Sequence, residues 1–234
     1  MAERLSASEQ QYKRMMETPI PKLVTSLAIP TTISMLITVI YNTADTYFVS
    51  QIDKSASAAV GAVFSIMSII QAIGFGLGMG SGSLISRKLG AKENEAANMY
   101  STSAFFAALL VGGLIGIAGL LFLEPFLTLL GCSDTMMPHA IPYAKYILIA
   151  APISCATFVL NNTLRSEGYS KLSTIGMSIG GILNVILDPI FIFTLKMGTG
   201  GAALATMITA YISPSKSYSG REKVVIIISA PPSS

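Results

Sequence analysis

Long apolar runs broken by short polar stretches set the pattern of this chain. No Asp, Glu, Lys or Arg occurs in residues 23–44, 55–86, 96–123 or 146–164, and 172–187 is charge-free up to Asp188. A helix that crosses a bilayer needs ~20 mostly apolar residues at ~1.5 Å rise each. Five runs reach or approach that length. They predict helices over about Leu23–Phe48, Ala58–Leu84, Met99–Leu123, Ala144–Leu164 and Leu172–Leu195. A sixth run starts near Gly198 and turns polar after Ala210, short of a full span. A soluble domain of this size does not accommodate several helices that are hydrophobic all round. The expected class is all-α, a polytopic membrane helix bundle of about six transmembrane helices, the sixth incomplete.

Proline and glycine punctuate these runs. Pro30 predicts a kink near the start of the first helix, Pro152 lies within the fourth, and Pro189 breaks the fifth. The second helix carries Gly74, Gly76, Gly78, Gly80 and Gly82, and the third a small-xxx-small pair at Gly112 and Gly116. In a bilayer such residues let helices approach closely. A glycine-rich nucleotide loop does not fit, because no strand precedes and no Gly-Lys-Ser/Thr follows. The third and fourth helices are joined by an outer loop, Glu124 to Tyr143, with an apolar patch at Phe126–Leu130 suited to the interface. Three regions result: 1–22 as a cytoplasmic N-terminal segment, 23–210 as a membrane lobe, and 211–234 as an atypical disordered tail.

Composition sharpens the membrane reading. The chain of 234 residues is 52% hydrophobic and only 12% charged, against ~25% charged in ordinary soluble domains. A net charge of +3 is too small to imply nucleic acid binding. With the N-terminus inside, Arg4, Lys13, Arg14, Lys22, Arg87, Lys88, Lys92, Arg165 and Lys171 fall on the inner side, while Lys54 and Lys196 fall in outer loops. That bias predicts a cytoplasmic N-terminus for a multi-pass protein, and the plasma membrane is its expected location. The polar first 22 residues do not read as a signal peptide. Cys132 and Cys155 have no metal spacing and no expected disulfide. No nucleophile–base constellation stands out, so the chain is not expected to be an enzyme or to hold a cofactor.

Two acids carry the candidate chemistry. Asp188 lies inside an apolar segment, and Asp45 ends the first apolar run. A carboxylate in hydrocarbon costs at least ~2.5–3.5 kcal/mol, so it marks an ion or substrate pathway by default. Asn184 precedes Asp188 by four residues and shares its helix face. Pro189 donates no backbone hydrogen bond and clashes with the carbonyl of Val185, which predicts a bend and a freed oxygen. Carboxylate, amide and carbonyl oxygens form a hard donor set suited to Na⁺. The same carboxylate can hold a proton instead, since burial disfavours its charged form. Tyr41, Asn42, Thr43 and Thr46 surround Asp45 with polar groups. His139 reads as a solvated loop residue, and the twelve methionines as adaptable packing.

Four stretches resemble the MATE family of multidrug and toxin extrusion transporters. They are Leu27-Ala28-Ile29-Pro30, the run Tyr41 to Val49, the loop Ser86 to Lys92, and Asn184 to Pro189 followed by Gly200 to Thr206. The resemblance covers about Thr18 to Ala210, the first of two six-helix lobes. It implies export of amphipathic, often cationic drugs by alternating access, coupled to Na⁺ or H⁺. It implies a cation site of Asp45, Asn184, Asp188 and Thr206, with Asn161 and Tyr41 at a substrate cavity and Pro30 as the bend of the first helix. The second lobe is missing from this chain, so the expected partners are the bilayer, small drugs, and a C-terminal lobe or second copy. A gene fragment or frameshifted end is one expectation. A non-transporting fragment or assembly subunit is the first alternative. A lipid-linked sugar flippase is the second, though it calls for basic residues in the cavity.

Overall fold

The computed structural model describes the backbone of residues 13–218 and side chains through residue 210. After a helical stretch at 13–17, the described chain builds seven α-helices and one π-helical turn. These are α1 (Ile20–Ser50), α2 (Lys54–Gly90), α3 (Asn94–Leu121), α4 (Leu123–Leu129), α5 (Met137–Ser166), α6 (Ser170–Pro189), the turn Ile190–Thr194, and α7 (Gly198–Tyr218). Five of the described helices are long and apolar enough to cross a membrane: α1, α2, α3, α5, and α6 with its turn.

Most helices outrun the apolar runs that predict them, for local reasons. α2 begins at Lys54 rather than Ala58 because Asp53 caps it, with Oδ1 accepting from the Ala56 N–H at 2.6 Å. At its other end it takes in Arg87 and Lys88, whose charges suit a helix C-terminus. α5 begins at Met137 rather than Ala144, so much of the expected outer loop is helix. Pro138 sits in the first turn, where a missing N–H costs nothing. His139 therefore belongs to a helix start, not a loop. The apolar patch at Phe126–Leu130 folds into α4, burying Leu127 and exposing Leu129. Gly131 and Gly168 take φ of +88° and +84° to end α4 and α5. At Gly168 the turn closes with Tyr169 N–H to Leu164 C=O at 2.8 Å, the paired bond of a Schellman cap. α7 starts at Gly198 as expected but continues past Ala210 to Tyr218. The expected tail from 211 is thus helical in its first part, and 219–234 lies outside the described residues.

α5 is the hub, packed against α2, α3 and α7, while α6 bridges α7 and α1. The core runs along α5, from Tyr143 and Leu148 through Cys155 to Val159, against Val63, Ile66 and Ile70 of α2. Gly74, Gly78 and Gly82 form a ridge one turn apart, where an added Cβ would collide with Phe158, Asn162 and Ser166 of α5. Gly76 and Gly80, on the other face, meet nothing. Only the first set acts as a packing seam. α1 is the least covered span, with Ile29, Leu36, Val39 and Ile40 all exposed. Apolar exposure on this scale fits a surface bathed in lipid or covered by more protein.

The two ends of the bundle are tied by polar contacts. At one end the Ser86 hydroxyl donates to the Ser166 carbonyl at 3.1 Å, joining α2 to α5. The basic residues Arg87, Lys88, Lys92, Arg165 and Lys171 gather at that end by helix alternation. At the other end His139 Nε2 lies 3.2 Å from Asp53 Oδ2, and the His139 carbonyl accepts from Thr199 at 2.8 Å. Lys145, on α5, adds a cation to this second end beside Lys54 and Lys196. Removing the cap should cost more than removing the ion pair. We expect Asp53→Ala to destabilise by ~1 kcal/mol or more, and His139→Ala by less, because exposed pairs contribute under ~1 kcal/mol. Thermal unfolding in detergent ranks the two.

Candidate functional site

α1, α5, α6 and α7 bring the predicted site residues together. Asp45 of α1 is nearly buried, and Asp188 and Asn184 of α6 are fully so. Neither carboxylate faces lipid. Asp45 and Asp188 lie within electrostatic reach of each other, and Tyr143 within reach of both. The parallel course of α1 and α6 explains this pairing. Gly181 packs on Tyr41 and Ile37 at 3.1 Å for an added Cβ, and one to two turns further along both helices reach the acids.

The donors around these acids are few. Tyr143 of α5 gives its hydroxyl to Asp45 Oδ2 at 3.1 Å. Asn184 gives its amide N–H to Thr206 Oγ1 of α7 at 3.2 Å. Four acceptor oxygens have no hydrogen-bond partner: Asp45 Oδ1, Asn184 Oδ1, and both oxygens of Asp188. Leaving one buried polar group unpaired costs ~1–3 kcal/mol, more for a charge. Four such oxygens, all acceptors and none donors, suit a ligand that brings positive charge or a proton. That donor set fits a hard cation.

Pro189 acts differently from the simple bend expected. The helix passes directly from Pro189 into the π-turn Ile190–Thr194. The Ile190 N–H donates three residues back, to the Leu187 carbonyl, and Leu195 N–H closes on Ile190 C=O at 2.9 Å. The change of helical register begins at Ile190, two residues after Asp188. Gly201 of α7 packs against this turn so closely that an added Cβ would stand 2.8 Å from the Phe191 backbone.

A cavity of about 120 Å³ lies beside the acids. Tyr41, Asn161, Asn184 and Thr206 line it, as do Gln71 and Thr157. Met67, Met177 and Phe158 supply apolar wall. Asp45 and Asp188 do not line it, and no Lys or Arg does. Asn184 and Thr206 are thus shared between the acid cluster and the cavity. Asn161 is held by Ser173, whose hydroxyl donates to its Oδ1 at 3.0 Å, and itself donates to the Thr157 carbonyl at 2.9 Å. The sequence reading missed Tyr143, Gln71 and Ser173. Tyr143 gave no signal of its own, because its segment reads as loop through Pro138 and Pro142.

The MatE family model matches residues 30–190, more than half of the chain. The multidrug export protein MepA of Staphylococcus haemolyticus is 32% identical over 84% of this chain and 44% of its own length. An FAD transporter of Shewanella oneidensis is 28% identical over 87% of this chain and 46% of its own. The solved structure of a multidrug resistance MATE family transporter of the MOP superfamily, in an outward-facing conformation, superposes with a TM-score of 0.84. It is 32% identical, over 95% of this chain and 49% of that one. The chain therefore spans about half the length of the relatives it matches. It is a membrane helix bundle and belongs to the MATE family.

Proposed function

We propose that this chain forms a cation-coupled drug-binding lobe of a multidrug exporter, with Na⁺ or H⁺ exchanged at Asp45, Asn184, Asp188 and Thr206. The carrying observation is the set of four unpartnered buried oxygens on α1 and α6. Positive charge arriving there relieves the repulsion between two carboxylates. Asn184 and Thr206 belong to both cluster and cavity, so their response to the ion reaches whatever occupies the cavity. Antiport then follows as negative coupling between two neighbouring sites. Alternating access exposes the cluster to each side in turn. The gathered basic residues at one end support a plasma-membrane protein with that end cytoplasmic.

Amphipathic, often cationic drugs suit this lining of aromatic and methionine wall with scattered amide and hydroxyl groups. Flavin dinucleotide transport is the second reading, suggested by the Shewanella relative. A diphosphate needs cationic partners, and the described lining has none. The same lack weighs against a lipid-linked sugar flippase.

Equilibrium binding tests the reading. A fluorescent lipophilic cation is titrated into the purified chain in detergent, with Na⁺ or choline at equal ionic strength and over a range of pH. We expect Na⁺ or acid to weaken dye binding by roughly 5–150-fold, the usual range of coupling between sites. Dye affinity that ignores both ions would overturn the proposal.

A further inference from the structure

We propose that Thr174 is a positioning residue: its hydroxyl, with that of Ser34, forms an exchangeable clasp that sets α1 against α6 at Pro30. The inference rests on the cation-site reading only for its functional consequence. Thr174 Oγ1 lies 2.8 Å from the Pro30 carbonyl of α1 and 2.9 Å from the Ser170 carbonyl of its own helix. Ser34 Oγ lies 2.8 Å from Thr174 Oγ1 and 3.0 Å from the Pro30 carbonyl of its own helix. Each hydroxyl has one proton, so not all four bonds form at once.

Two complete arrangements exist. In the first, Thr174 donates across to Pro30 and Ser34 donates across to Thr174, giving two bonds between helices. In the second, Thr174 donates back to Ser170 and Ser34 donates back to Pro30, each bond staying within its own helix. Such back-bonds are the ordinary alternative for Ser and Thr in helices. Either way each proton has an acceptor, which matters because Ser34 is fully buried. The clasp therefore opens without stranding a buried donor. That is the property a reversible contact between two helices requires.

Its location gives it leverage. Pro30 removes a helical hydrogen bond within α1, which weakens the helix there. α1 has little other cover, and α6 is its main neighbour. Ser34 lies eleven residues before Asp45, and Thr174 fourteen before Asp188, on helices that run parallel. A slip at the clasp moves Asp45 relative to Asp188 and Asn184.

Hydrogen–deuterium exchange and Na⁺ titration of the full chain in detergent test this. Thr174→Val keeps the shape and removes the hydroxyl, while Thr174→Ser keeps the hydroxyl. We expect Thr174→Val to speed exchange in residues 20–34 at least roughly threefold, leaving α2, α3 and α5 unchanged. We expect it to weaken Na⁺ binding by roughly three- to tenfold, and Thr174→Ser to restore both. Unchanged exchange in α1, or a rise spread over every helix, overturns the clasp. Asp188→Asn run alongside keeps the two readings apart. If it leaves the Na⁺ response intact while Thr174→Val loosens α1, the clasp stands and the ion site falls.

Discussion

If Na⁺ occupies the proposed site, Asp188→Asn should remove the stabilisation that Na⁺ gives to this chain. A ligand that binds only the folded state adds ~2.7 kcal/mol at a hundred times its dissociation constant. Two opposite charges ~4 Å apart attract by ~4 kcal/mol at an effective dielectric of ~20. The amide keeps the shape of Asp188 but gives up that attraction. Affinity should therefore fall by roughly 100-fold or more, at ~1.4 kcal/mol per tenfold. Without Na⁺ the sign reverses. The variant no longer sets two carboxylates against each other, and its new N–H groups offer donors to the unpartnered Asp45 Oδ1. Asp188→Asn should then be the more stable protein in choline and the less responsive one in Na⁺. Thermal unfolding in detergent at constant ionic strength reads both effects. Equal Na⁺ shifts in the two proteins would sink the assignment, unless acid replaces Na⁺ as the stabilising ligand and the variant loses that response instead.

Asp45 supplies a useful contrast. Its Oδ2 already holds the Tyr143 hydroxyl, whereas Asp188 holds nothing. Asp188 is thus the carboxylate with more to gain from an incoming ion. Asp45 is already oriented by the Tyr143 hydroxyl.

This pairing was legible in sequence because charge inside a long apolar run is rare and costly. Asp188 stands out on that ground and Asn184 by its spacing, whereas Thr206 came only from the resemblance to the MATE family. Tyr143 did not stand out, because an aromatic residue between prolines carries no charge signal and its helical setting depends on where α5 starts. Helix ends were the least legible feature. They depend on a cap at Asp53, on positive φ at Gly131 and Gly168, and on basic residues at a helix C-terminus. An apolar count registers none of these. The cavity was legible only in part, since Gln71 of α2 shares its lining with Asn161 and Ser173 of α6 bonds to Asn161 through tertiary packing that no single run encodes.

Gly116 and Pro152 were visible as separate marks in the sequence, and the fold makes them one feature. Pro152 has no N–H, so the Leu148 carbonyl four residues earlier loses its helical donor. That carbonyl faces the bare Cα of Gly116, where an added Cβ would stand 2.6 Å from the Leu148 oxygen. One turn away, a Cβ on Gly112 would stand 2.7 Å from the Ala151 oxygen and from Pro152 Cα. These obstacles are backbone, so no side chain can swing aside. α3 must move off α5 or the substitution must strain both helices. Overpacking of this kind costs ~1–3 kcal/mol per site. At ~2–4 °C per kcal/mol for a chain of this size, Gly112→Ala and Gly116→Ala should each lower Tm by several degrees. Gly113, beside Gly112 on the same helix, meets nothing within 4 Å. Gly113→Ala should leave Tm unchanged or raise it slightly, since alanine favours helix by ~1 kcal/mol over glycine. Were all three substitutions to shift Tm alike, the glycines would be acting through helix propensity alone, and the close approach of α3 to α5 would not be what holds this side of the bundle.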